Sequence, residues 1–112
     1  MGLSTHILDT AIGRPAANVS LTLAQLQPDS TWLGIGSGTT DADGRCKTLL
    51  GDLPLAAATY KIHFATVSYF AAQHLAGLYP FVEIVFTVRD PAQHHHIPLL
   101  LTANGYTTYR GS

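Results

Sequence analysis

The chain has 112 residues, enough for one domain with a real core, and 46% of it is apolar while only 12% is charged, about half the usual ~25%. A net charge of −1 with no basic stripe excludes a protein that tracks phosphate backbones, and no run of about 18 apolar residues exists to span a bilayer. So few charges leave a monomer's surface poorly covered, and the composition predicts apolar area buried between copies of the chain.

The opening "MGLSTHILDT" lacks the basic and apolar regions of a signal peptide, and position six lacks the Ser or Thr of a myristoylation site. "LSTHILD" alternates as a strand does. Leu3, Thr5 and Ile7 share one face, and Ser4, His6 and Leu8 the other. Ile7 is the better core residue, so His6 faces away from the core. After the turn "TAIGRPA", "ANVSLTLAQL" puts Val19, Leu21 and Leu23 opposite Asn18, Ser20 and Thr22. "QPDS" and "DADG" read as turns. Asp41–Gly44 resembles the start of a calcium loop, but no glutamate follows at the required place. Arg45, just after it, reads by itself as a solvated turn residue. Cys46 is the only cysteine, so no intrachain disulfide is expected.

"TYKIHF" sets Tyr60, Ile62 and Phe64 inward and His63 on the strand surface. "SYFAAQHLAG" is the one helical stretch. Ser68 stands as N-cap, Gly77 and Pro80 stand at its end, and the length is two to three turns with His74 on its surface. "FVEIVFTVRD" sets Val82, Ile84, Phe86 and Val88 opposite Glu83, Val85, Thr87 and Arg89. In "HHHIPLLL", His94, His96, Pro98 and Leu100 share one face, and His95, Ile97, Leu99 and Leu101 the greasier one. Pro98 suits an edge or irregular position, because it lacks a ladder N–H. His94 and His96 at i, i+2 fit either a metal pair needing a third ligand from elsewhere, or solvated or packing histidines. "NGYTTYRGS" reads as a last strand. Seven or eight strands and one short helix make an all-β sandwich, with one domain over residues 1–112.

Several of these pieces together resemble the 5-hydroxyisourate hydrolase family, the transthyretin-related proteins. They are "LSTHILDTAIGRPAANVSLTL", "YPFVEIVFTV" and "HHHIPLLLTANGYTTYRGS". The resemblance runs nearly end to end, and the YRGS ending combined with the histidines of "THILD" and of "HIPLLL" is specific. It implies a transthyretin-like sandwich of two four-stranded sheets with one short helix, a homotetramer with sites at a subunit interface, and no cofactor or metal. It implies hydrolysis of 5-hydroxyisourate to 2-oxo-4-hydroxy-4-carboxy-5-ureidoimidazoline in urate degradation. Carried over residue by residue, it makes His6, Arg45, His96 and Ser112 catalytic, and Arg45, Tyr109, Arg110 and Ser112 substrate-binding. His95 stands where the family usually has tyrosine, and "TAN" stands before Gly105 in place of the usual "SP" turn.

Opening a cyclic amide needs an activated water and a group that receives charge on the carbonyl oxygen. Histidine, with a pKa near 7, suits the first task and a guanidinium the second. Ser112 would bond the ring or the water through its hydroxyl or its terminal carboxylate, while Arg110 serves either the substrate or the anchoring of the tail. A small-molecule carrier of transthyretin type is the alternative, and a zinc hydrolase the third reading. The compartment expected is the cytoplasm, or the periplasm if a signal peptide has been removed. No nucleic acid or membrane partner is expected.

Overall fold

The computed structural model describes residues 2–49 and 54–111. Strands β1 (Leu3–Asp9), β2 (Arg14–Pro15), β3 (Ser20–Leu26), β4 (Trp32–Thr39) and β5 (Ala58–Phe64) precede helix α1 (Thr66–Ala71). Strands β6 (Val82–Val88), β7 (His95–Thr102) and β8 (Gly105–Thr108) follow it. They form two four-stranded sheets, ordered β2-β1-β7-β8 and β4-β3-β5-β6. All neighbours are antiparallel except β1 and β7, which run parallel.

The alternation sorts side chains as read. Ile7, Val19, Leu21, Leu23, Ile62 and Leu99 are fully or nearly fully buried between the sheets. Burying each such side chain contributes about 1.5–3 kcal/mol before ordering entropy is counted. One polar pair joins this core at its rim. Asp9, buried at the end of β1, accepts a 2.7 Å hydrogen bond from the Tyr69 hydroxyl on α1, which ties the helix to the first sheet.

Two local readings are corrected. The helix begins earlier and ends sooner than a Ser68–Gly77 segment, at Thr66 and Ala71. No side chain caps its start; the Val67 N–H instead donates to the Pro80 carbonyl at 3.3 Å. At its end His74 takes φ 59°. Leu75 N–H then reaches the Phe70 carbonyl and His74 N–H the Ala71 carbonyl, the paired bonds of a Schellman turn. The left-handed position is therefore filled by His74, in the turn after the helix, and Gly77 packs against the Phe70 ring.

The second correction concerns Pro98, which is irregular as expected but not outside a central strand. It lies in β7, a central strand, paired with His6 of β1. The β7–β8 ladder stops at Leu99↔Thr108 and resumes as a lone bridge at His96↔Gly111. The gap falls beside the residue without an N–H, and the Thr108 hydroxyl bonds the Pro98 carbonyl at 2.8 Å. The proline is accommodated by an interrupted ladder.

Candidate active site

The parallel register of β1 and β7 builds the site. Ser4 lies opposite His96 and His6 opposite Pro98, so His6 and His96 are diagonal neighbours on the outer face of one sheet. Both are half-buried. Arg45 joins from the side, through an isolated antiparallel bridge to His6.

The turn before Arg45 holds it there. Asp41 Oδ1 accepts the N–H groups of Asp43 and Arg45 at 2.9 and 3.0 Å, a local turn that uses the carboxylate internally. Gly44 adopts φ 75°, and a Cβ there would strike the Ile7 carbonyl. Its own carbonyl accepts the Ile7 N–H at 2.8 Å. Glycine thus lets the turn close onto β1 and deliver Arg45 beside His6.

On the far side of His96 the tail closes in. Gly111 N–H donates to the His96 carbonyl at 2.8 Å. This bridge continues the β7–β8 register and puts Tyr109 across from Pro98 and Arg110 across from Ile97. Pro98 shares the face of His96; Ile97 belongs to the core face. Arg110 is accordingly not brought to the histidines. Its guanidinium donates to the Gln93 side-chain oxygen at 3.1 Å. With Arg89, His95, Ile97, Phe86 and Tyr109 it lines a cleft of 320 Å³ between β6 and the start of β7. His95 points into the core as alternation requires; it is buried and donates from Nδ1 to the Gln93 carbonyl at 2.9 Å. Tyr109 is exposed, and Ser112 lies outside the described residues.

Burial first, and then repulsion from the Arg45 guanidinium with smaller contributions from His6 and His94, hold the His96 pKa below its ordinary 6.5. A hydrogen bond to the Ser4 backbone acts the other way. The shift favours the neutral imidazole, the form a base needs before it accepts a proton. Ser4 is the residue that the sequence argument passed over. Its hydroxyl lies 2.7 Å from His96 Nδ1 and 2.7 Å from His94 Nε2. The available signal was its place on the face of His6. Among the described residues no group of three or more His, Cys, Asp or Glu is placed to hold a metal ion, and His94 and His96 are joined through Ser4. No helix among them is long and apolar enough to cross a membrane.

The sequence pattern of the HIUase/Transthyretin family matches residues 3–111. The 5-hydroxyisourate hydrolase of Mus musculus is 43% identical over 111 residues, covering 98% of this chain and 94% of that protein. Among solved structures, Klebsiella pneumoniae 5-hydroxyisourate hydrolase superposes with a TM-score of 0.85 at 32% identity, covering 98% of both chains. Sea bream transthyretin in complex with thyroxine gives a TM-score of 0.91 at 32% identity, covering 97% of this chain and 93% of that one. With the motifs, the two sheets and these similarities in agreement, the chain belongs to the HIUase/Transthyretin family.

Proposed function

We propose that this protein is a hydrolase that opens the ring of 5-hydroxyisourate to give 2-oxo-4-hydroxy-4-carboxy-5-ureidoimidazoline, a step of urate degradation. The observation that carries the reading is the cluster of His6, His96 and Arg45 on one sheet face, with the His96 pKa lowered by burial and by the Arg45 guanidinium. An enzyme and a thyroxine-bound transthyretin share this fold, so the fold does not decide between them. A carrier pocket has no need of a neutral histidine beside a second histidine and a guanidinium.

In this reading His6 and His96 hold one water, and His96 takes its proton at Nε2 as the oxygen attacks the ring carbonyl. Arg45 donates to the oxygen on which charge develops. The carbon–nitrogen bond then breaks and the departing ring nitrogen receives a proton. Ser112 contacts the ring or the water, with Tyr109 bordering the substrate. Arg110, held by Gln93, anchors the tail. No metal or organic cofactor takes part.

The site face is open in one chain, and a homotetramer that closes it between subunits fits three features. Among the described residues the outer edges of β6 and β8 are unpaired, the cleft of 320 Å³ lies between β6 and the start of β7, and Ile12, Val85 and Tyr109 are more than half exposed. Such edges and apolar patches are normally covered. Cys46, buried and free, suits a reducing compartment such as the cytoplasm.

The test is direct. Urate and urate oxidase generate fresh 5-hydroxyisourate, and its ultraviolet decay is followed with and without the protein. Decay well above the spontaneous rate, unchanged by a chelator, is expected. Unchanged decay at micromolar protein would favour the carrier, and loss of activity with chelator would favour the zinc enzyme.

A further inference from the structure

We propose that Ser4 and His94 are positioning residues that form a proton relay with His96, fixing its working tautomer and moving charge from its half-buried ring to solvent. The inference rests on the hydrolase reading for its catalytic consequence, but its geometry stands apart from the substrate.

Ser4 Oγ lies 2.7 Å from His96 Nδ1 and 2.7 Å from His94 Nε2. A hydroxyl has one proton, so it donates to one ring and accepts from the other. If it donated to His96 Nδ1, the His96 proton would sit on Nε2 and leave no lone pair there for a water. With the opposite polarity, His96 Nδ1–H donates to Ser4, Ser4 O–H donates to His94 Nε2, and His96 Nε2 is free to act as base. The second ring nitrogen of a working histidine is usually fixed in this way by its hydrogen bond.

The relay also answers an electrostatic problem. His96 is half-buried, and Arg45 beside β1, His6 on β1 and His94 ahead of β7 all disfavour a positive charge on it. His94 is exposed, so charge costs less there. As a water proton reaches His96 Nε2, the Nδ1 proton passes to Ser4 Oγ while the Ser4 hydroxyl proton passes to His94 Nε2. Serine ends neutral, His96 ends neutral with its proton on Nε2, and His94 carries the charge. The Nε2 proton then stands ready for the departing ring nitrogen, and reverse transfer through Ser4 restores the first state. No heavy atom needs to move.

Two measurements on the full chain test this. Histidine side-chain ¹⁵N spectra should show His96 protonated on Nδ1 in the wild type and in Ser4→Thr, and shifted towards Nε2 in Ser4→Ala. In the decay assay Ser4→Ala should lower kcat roughly 10- to 100-fold with KM nearly unchanged, and Ser4→Thr should restore most of it. His94→Ala should lose about tenfold in kcat and be rescued by added imidazole, which a purely structural role would not permit. An unchanged His96 tautomer in Ser4→Ala, or wild-type kcat in that variant, would overturn the relay. The expected spectra from a wild type that does not speed the decay would support the tautomer and overturn the hydrolase reading.

Discussion

Gly111 donates its backbone N–H to the His96 carbonyl at 2.8 Å and lies so close to the imidazole that a Cβ on it would collide with the ring. The tail and the His96 ring are therefore one packed unit. Gly111→Ala has to push the ring or the tail aside, and displacements near 1 Å can cost ~10²-fold in rate. The expected result is a kcat at least ~10-fold lower with a melting temperature within a few degrees of wild type, measured by the decay assay and circular dichroism. Unaltered turnover would mean that the ring has slack and that the tail does not set its position.

The two faces of β7 make opposite predictions for adjacent histidines. His96 and His6 lie on the outer face, so His96→Ala and His6→Ala should each lower kcat ~10²–10⁴-fold while folding normally. His95 is 4% exposed and satisfied by the Gln93 carbonyl. His95→Ala should lose about 1–3 kcal/mol in urea titration and retain turnover per folded molecule.

The pH profile follows from the lowered pKa of His96. In the proposed mechanism His96 works as a base only when neutral, so the acid limb of kcat/KM should lie below 6.5, the ordinary histidine value. Removing the nearby cation in Arg45→Gln should move that limb upward while also lowering the rate, with His6, His94 and burial still holding it down. Stability has the same sign. The unfolded chain takes up this proton first, so stability attributable to His96 is present above 6.5 and is lost as pH falls through its lower folded value. An acid limb above 6.5 would show that His96 is not the titrating base.

The alternation of β1, β3, β5, β6 and β7 was legible because each strand has one face in the core, and period two is the direct signature of that. The outward aspect of His6 and His96 came with it. Their nearness did not, since it depends on β1 and β7 pairing in parallel with Ser4 opposite His96, a long-range register that spacing along the chain does not encode. Ser4 was visible as a neighbour of His6 but not as a partner of His96, for the same reason. The helix end was misread because Gly77 looks like the obvious left-handed residue, whereas His74 adopts that conformation at modest cost. The irregularity at Pro98 was legible from its missing N–H; its place in a central strand was not, because that rests on the pairing of β7 with both β1 and β8 and on the Thr108 hydroxyl, ten positions away, that meets the Pro98 carbonyl beside the gap.

Asp9 and Tyr69 supply the last prediction. The Asp9 carboxylate is 2% exposed; it accepts the Tyr69 hydroxyl at 2.7 Å and the Ala11 N–H at 3.1 Å. Burial, reinforced by the bond to Asp9, pushes the Tyr69 pKa up from 10.0 to about 12. A raised folded pKa means that the native state holds this proton more tightly than the unfolded chain does. The associated stability is present below pH 10 and is lost as pH rises from there through about 12. Tyr69→Phe keeps the ring but removes the donor, leaving one buried carboxylate oxygen short of a partner, which costs about 1–3 kcal/mol at neutral pH. It should also flatten the alkaline loss relative to wild type. Tyr60, likewise raised by burial, remains in both proteins and drops out of the difference. Urea titrations of the two proteins at pH 7 and at steps from 9 to 11 measure both effects. Equal stability at pH 7 would show that the hydroxyl does not tie α1 to β1, and parallel alkaline curves would show that Tyr69 does not hold its proton more tightly in the fold.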